Sequence, residues 1–328
     1  MRSRGGLFGG LMLALLLAEM LCAVMIGPTG IPPAQVFSAF GHPGSSQVVA
    51  EIVWQVRLPR VIGAALVGAA LGLAGAILQA LLRNPLADPY LIGTSSGASL
   101  GATIAQITAP GLALVPLGAF IGAAGAALLA STATRARGVG SVTIVLVGYA
   151  LSVILGAISS LLLTFNHSAL LQIYFWFLGG LGSVSWTQIS LLLGVLALGL
   201  GLSLVYRREL DALAIGEREA QYLGVDVGRT RLMLLLLAGL VTAVAVSAAG
   251  LIGFVGLVAP HVARRAAGAA HGRTLALSAI WGGAFLVLAD TVARSLPVGE
   301  IPVGIVTAII GGPFFIWLLL RRERGVAV

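Results

Sequence analysis

A chain of 328 residues that is 59% hydrophobic and only 9% charged is not a soluble globule, which carries about 25% charged residues. It reads as an all-α polytopic membrane protein, because lipid admits only segments that satisfy their own backbone hydrogen bonds. Its net charge of +8 comes from arginine alone, scattered in loops between apolar runs, so it marks membrane topology and not a nucleic-acid partner.

Ten apolar runs read as spans, near 7–26, 61–82, 91–109, 111–130, 142–164, 187–205, 232–250, 253–266, 275–293 and 302–320. The first resembles a signal peptide. It is long enough to span, however, and runs into GPTGIPP instead of a small-x-small cleavage site, so it reads as a retained helix. Its single cysteine, Cys22, excludes an intrachain disulfide. Glu19, in the same run, reads as satisfied by a neighbouring helix or protonated, since a charge there costs about 2.5–3.5 kcal/mol.

Residues 27–56 read as an external segment with a short surface helix opened by Pro32 and Pro33. It ends in RLPR, Arg57 to Arg60, at the mouth of the second span. Stripes of small residues four apart, such as Ala64, Gly68, Gly72 and Ala76, predict close helix packing. The connection NPLADPYLIG (84–93) holds two prolines that bar a continuous helix. It reads as a tight loop or as a gate beside a pore. Gly93-Thr94-Ser95-Ser96-Gly97 matches G-x-S-x-G, and His261 is a membrane histidine, so an intramembrane serine hydrolase is the remote alternative. His261 itself is expected to bond a neighbouring carbonyl, and His167 to lie in the external loop 165–168.

Arg207 to Arg231 is the one polar island, holding ten of the chain's thirty charges. It cannot enter lipid and reads as ordered. Asp211 is expected to cap a short helix, Ala212 to Gly216 to form a compact turn, and Gly224 to end a second helix begun at Glu217. Such a loop is a solvated connector or a docking surface. Placing both tails inside puts the island and sixteen of nineteen arginines in the cytoplasm. Only Arg57, Arg60 and Arg294 then face outward, either snorkelling or recognising carboxylates. Asp290 and Arg294, four apart, are expected to pair on one helix face. Four spans after RLPR and four after the island run in opposite directions, the hydropathy pattern of an inverted repeat. Without lysine no standard P-loop exists, so ATP, if used, is hydrolysed by another subunit.

The chain resembles the permease subunits of FecCD/BtuC-type ABC importers. The resemblance rests on RLPR, Gly75-x-x-x-Gln79, NPLADPYLIG, Trp176-x-x-Gly179-Gly180, Gly216-Glu217, Leu223-Gly224-Val225, GLIGFVGLVAPHVAR (250–264) and EIPVGIVTAIIGGPFFIWLL (300–319). It implies one permease domain over 1–328 with ten spans, type II importer architecture and a homodimer whose interface forms the path. It implies a multi-pass protein of the bacterial inner membrane, in contact with lipid. Two ATPase subunits, which use ATP and Mg, would dock on the island through Asp211, Ala212, Leu213, Ile215, Gly216, Glu217, Ala220, Leu223 and Gly224. A periplasmic binding protein would meet Arg57, Arg60 and Arg294, and the inner gate would comprise Asn84, Leu86, Ser141, Val142 and Thr143. No cofactor or metal is expected on this chain. The run Gly268 to Arg273, GAAHGR, departs from the Asp-His-Arg more usual in the family. Haem is the expected cargo, from His167, Tyr174 and Trp176 near the outer mouth, with ferric siderophore and cobalamin as alternatives.

Overall fold

The structure is a computed structural model that describes residues 2–41, 47–109, 114–133, 141–268, 270–296 and 299–323. Among them it is helical, with no strand. The first helix, α1 (Arg2–Met25), is followed by the surface helix α2 (Pro33–Gly41), opened by proline as expected. Then α3 (Gln47–Glu51) passes through a π-helical turn, Ile52–Arg57, into α4 (Leu58–Leu81). Pro59 has no N–H for the carbonyl four residues back, and the backbone just ahead of it widens into the π pattern.

Helix α4 is the hub. It packs on α14 (His271–Ser295), α12 (Val227–Ala249), α13 (Val255–Ala267) and α9 (Trp186–Val205). Its small stripe makes this possible. A Cβ at Gly68 would lie 2.1 Å from the Gly282 carbonyl oxygen, and one at Gly72 would lie 2.2 Å from that of Ser278. The backbones of α4 and α14 therefore touch, which maximises dispersion contacts where lipid supplies no hydrophobic drive.

After α4 comes an irregular link, 82–93, then α5 (Thr94–Thr108), α6 (Val115–Ala133) and α7 (Ser141–Phe165). The expected loop at 165–168 is instead the start of a further helix, α8 (His167–Phe177), entered through Asn166. The island forms α10 (Arg207–Ile215) and α11 (Glu217–Tyr222), and α15 (Val303–Glu323) ends the described chain. Two sets share one plan: α4 to α7 and α12 to α15 each run long helix, irregular link, short helix, two long helices. Here α4 packs on α12, α4 on α14, and α12 on α6, so exchanging the sets exchanges their contacts.

Among the described residues, eight helices are long and apolar enough to cross a membrane: α1, the continuous α3–α4, α6, α7, α9, α12, α14 and α15. The expected third and eighth spans are α5 and α13, of 15 and 13 residues. At about 1.5 Å per residue they fall short of a hydrocarbon core about 30 Å thick. They are inserts packed on α6 and α7, and on α4 and α14.

Candidate coupling platform, gate and outer cleft

The island is a two-helix platform. Leu210, Leu213 and Ala220 are buried on its inner side, with Ala212 and Gly216. On its outer side Ile215, Tyr222 and Leu223 are 71, 89 and 68% exposed, an apolar patch among the island's charges. Of the residues expected to dock an ATPase, Ile215, Leu223 and Gly224 are exposed, Asp211 is exposed but turned to α14, and Ala212, Leu213, Gly216 and Ala220 are buried. Gly224, at φ +81, ends α11 as expected. Asp211 does not cap its own helix, for it lies in the middle of α10. Its carboxylate instead accepts the backbone N–H of His271 at 3.0 Å and meets that ring's Nδ1 at 2.7 Å, fastening the first turn of α14 to the island. The divergent GAAHGR run thus has a defined use for its histidine.

Glu217 is the bridge from platform to body. Its carboxylate pairs with Arg231 in α12 at 2.5 Å and with Arg83, just past α4, at 3.6 Å. Arg83 sits at φ +50, a left-handed conformation that strains a side-chain-bearing residue by about 1–3 kcal/mol and that turns the chain off α4. Spacing gave no sign of either arginine's role, because Arg83 is 134 residues away and Arg231, 14 residues on, belongs to another helix.

The link 82–93 is built by its own side chains. Asn84 Oδ1 accepts the Leu86 N–H at 3.0 Å, and Asp88 Oδ1 accepts the Tyr90 N–H at 2.9 Å, two turns of the kind Asn and Asp make. Burial pushes the Asp88 carboxyl up to about 6, opposed by the hydrogen bond from Tyr90. Burial, and next the nearby Asp88, also push the Tyr90 phenol up. The Tyr90 hydroxyl donates to the Ile252 carbonyl at 3.1 Å and accepts the Ile252 N–H at 3.0 Å, so the link is tied to the corresponding break before α13. Asn84 and Leu86 are half-buried, and Val142 and Thr143 are exposed at the start of α7. The link meets α7 further on, at Gly148 and Leu151, so a single chain does not bring the expected gate halves together. Of Ser141 only the backbone, in the first turn of α7, is described.

At the opposite end the three arginines expected on the surface are turned inward, with 4, 7 and 3% exposure for Arg57, Arg60 and Arg294. Arg57 donates to the Val24 and Met25 carbonyls at 3.0 and 3.3 Å and to the Thr29 hydroxyl at 2.9 Å. Arg294 donates to those of Ala23 and Ile26 at 2.6 and 2.5 Å. Both guanidiniums therefore occupy the unsatisfied carbonyl end of α1, where a helix favours cations. Arg60 grips Asp290 bidentately, at 3.0 and 2.8 Å, and reaches Glu300 at 2.7 Å. Asp290 pairs with Arg294 at 3.3 Å, as their spacing predicts. These guanidiniums are held by acceptors of their own chain and present little surface of their own.

A cleft of about 870 Å³ opens at this same end, between α6, α8, α9 and the end of α12. Its walls are mostly apolar, with uncharged polar groups from Gln106, Gln172, Ser185, Thr187 and Gln188. Gln106 and Gln172 hydrogen-bond across it. Trp176 lines it, and His167 and Tyr174 lie outside it, exposed on α8. The glutamines escaped the sequence reading because they are spread over three helices.

The hydrolase alternative lacks its geometry. Ser95 sits in the first turn of α5, and the buried His261 ring packs edge-on against Phe314, 5.7 Å between centroids. The expected bond from His261 to a carbonyl is not made through Nε2, which has no partner among the described residues.

Known proteins with this architecture agree with one another. The model of the FecCD transport family matches residues 14–321. The chain is 45% identical over 287 residues to the cobalamin import system permease protein BtuC of Halobacterium salinarum, covering 87% of this chain and 76% of that one. It is 39% identical to the vitamin B12 import system permease protein BtuC of Klebsiella pneumoniae, covering 99 and 96%. It is likewise 39% identical to the hemin transport system permease protein HmuU of Yersinia pestis, covering 83 and 84%. Among solved structures, an inward-facing ABC transporter of metal-chelate type superposes with a TM-score of 0.85 at 31% identity, covering 96% of this chain and 99% of that one. Similarity over nearly the whole chain, on an all-helical body with apolar spans, makes this protein a member of the FecCD transport family, a multi-pass permease of the ABC importer type.

Proposed function

We propose that the chain is the permease subunit of an ATP-driven importer of a metal chelate. It works as a homodimer in the bacterial inner membrane, with the island and both tails in the cytoplasm. Eight full spans and two composite crossings, in which the short helices α5 and α13 are each extended by the irregular link ahead of them, make ten crossings, arranged as an inverted repeat over one permease domain. Two ATPase subunits, supplying ATP and Mg chemistry, dock on the platform, and a periplasmic binding protein delivers cargo at the opposite face.

The observation that carries this reading is Glu217. Through Arg83 and Arg231 it ties the platform to the first long helix of each half, so a displacement of the platform moves both halves at once. The patch of Ile215, Tyr222 and Leu223 is the surface an ATPase would bury. Closure of the ATPases on ATP then drives the interface between outward and inward forms, with the link 82–93 moving at its cytoplasmic mouth.

For the cargo we favour a corrinoid such as cobalamin over haem. The relatives named for cobalamin and vitamin B12 support it. So does the outer cleft, whose polar groups are amides and hydroxyls without a cation, suited to a ligand fringed with amides more than to haem carboxylates. Haem remains the second reading through the hemin permease relative and Trp176. The test is ATP-driven uptake into liposomes holding the permease with its ATPase and binding protein, with cobalamin, haem and a ferric siderophore offered separately. Cobalamin uptake alone is expected. Uptake of haem or siderophore instead overturns the cargo, and uptake of none overturns the chelate reading.

A further inference from the structure

Proline 260 lies inside α13 and has no N–H. In a regular helix that N–H would bond the carbonyl of Gly256, four residues earlier. Gln79, 3% exposed in α4, supplies a donor in its place. Its amide nitrogen donates to the Gly256 carbonyl at 3.2 Å, to that of Ala87 at 3.1 Å and to that of Leu257 at 3.4 Å. One amide nitrogen carries two hydrogens, so three carbonyls share them. Its Oε1 accepts from the Arg264 guanidinium at 2.5 Å. A single buried side chain thus joins α4, the link 82–93 and both ends of α13. The backing is tight: one turn earlier, a Cβ at Gly75 would lie 1.9 Å from the same Gly256 carbonyl. One turn later stands Arg83, the partner of Glu217.

We propose that Gln79 is a positioning residue for transport, a latch that holds the link 82–93 on α13 so that platform movement arrives at the gate undiminished. The assignment rests on the importer reading. Only a carboxamide fills the place. Glutamate keeps an acceptor for Arg264 but loses both donors, and methionine keeps the volume but leaves the carbonyls and the guanidinium unpaired in a dry site.

The test combines two readouts in the assembled complex: labelling with Cys22→Ser as background and Leu86→Cys as reporter, and uptake with Cys22 and Leu86 unsubstituted. The first is the rate at which a membrane-impermeant maleimide labels the introduced thiol from the island side. The second is cargo taken up per ATP hydrolysed. Gln79→Met and Gln79→Glu are each expected to raise labelling and to lower uptake per ATP by about tenfold, within the range by which residues on a coupling route act. Labelling at the unsubstituted rate, or uptake per ATP unchanged, overturns the latch. A complex that takes up nothing even with Gln79 in place sinks the importer reading, and the labelling comparison still decides the latch.

Discussion

The most apolar 18-residue windows within Gln47–Leu81 and Val142–Phe165 share a mean hydropathy of 2.3, yet 89% of one window and 17% of the other is buried. Hydropathy reports fitness for lipid and is blind to position in the bundle. What separates the two is the surface of the helix. On α4 Gly68, Gly72 and Gly75 face carbonyl oxygens of α14 and α13 at contact distance, and Gly63 meets the Val184 side chain. On α7 only Gly148 does so, against the Leu91 carbonyl, while Gly156 meets nothing within 4 Å and Leu146, Tyr149 and Val153 stand exposed. The helix that other helices touch everywhere is built from residues with little side chain. The helix left mostly exposed by its own chain keeps its large ones.

Substitutions sharpen that contrast. Gly72→Leu is expected to abolish the folded chain, since its Cβ has no room and the loss exceeds about 4 kcal/mol, whereas Gly156→Leu stays within about 0.5 kcal/mol. Thermal unfolding in detergent with size-exclusion recovery measures both. Equal losses at the two sites would break the comparison. Next comes Asp290→Leu, which strands Arg60 and Arg294 in a buried site and is expected to cost about 3–5 kcal/mol in the same assay. A neutral result would show that the cluster does not brace α1, α4 and α14.

Smaller stability effects with larger functional ones are expected at the island. Glu217→Ala removes partly exposed ion pairs and is expected to cost under about 1 kcal/mol. Uptake per ATP should nonetheless fall by about tenfold, through the lost bridge to both halves. Unchanged uptake would remove Glu217 from the coupling route. The smallest effect concerns Asp88. Its carboxyl titrates near 6 when folded, above the usual carboxylate range, so the folded form binds the extra proton between about pH 4 and 6. Stability therefore falls as pH rises through that window and the penalty is complete above it. Asp88→Asn keeps the acceptor for Tyr90 and is expected to flatten the slope, read from unfolding at pH 4, 5, 6 and 7. An unaltered slope would place the titrating group elsewhere.

Legibility in the sequence followed the range of the interaction. Helices declared themselves by apolar runs, and the Asp290–Arg294 pair and the Asn84 and Asp88 turns are local, so spacing was enough. The island was legible as a folded polar platform because ten charges cannot enter lipid. The inward turn of Arg57, Arg60 and Arg294 was not legible. Their acceptors are the end of α1 and an aspartate 230 residues from Arg60, and an arginine beside a membrane mouth looks the same whether it faces water or a buried carbonyl. Asp211 misled for a related reason: a capping residue type capped another helix, 60 residues away. The outer cleft stayed hidden because no two of its glutamines share an element, and α8 was lost to a loop by the polar Asn166-His167-Ser168 at its start.

The most direct measurement of the central claim, that the exposed patch of the island couples this permease to ATP, is cobalamin uptake into ATP-loaded proteoliposomes by the complex bearing Ile215→Asp and Leu223→Asp, with co-purification of the ATPase scored on the same sample. Both side chains point away from the body, so the permease should fold, lose its ATPase and take up nothing, while the unsubstituted complex accumulates cobalamin. Retention of the ATPase and undiminished uptake in the doubly substituted complex would contradict the claim.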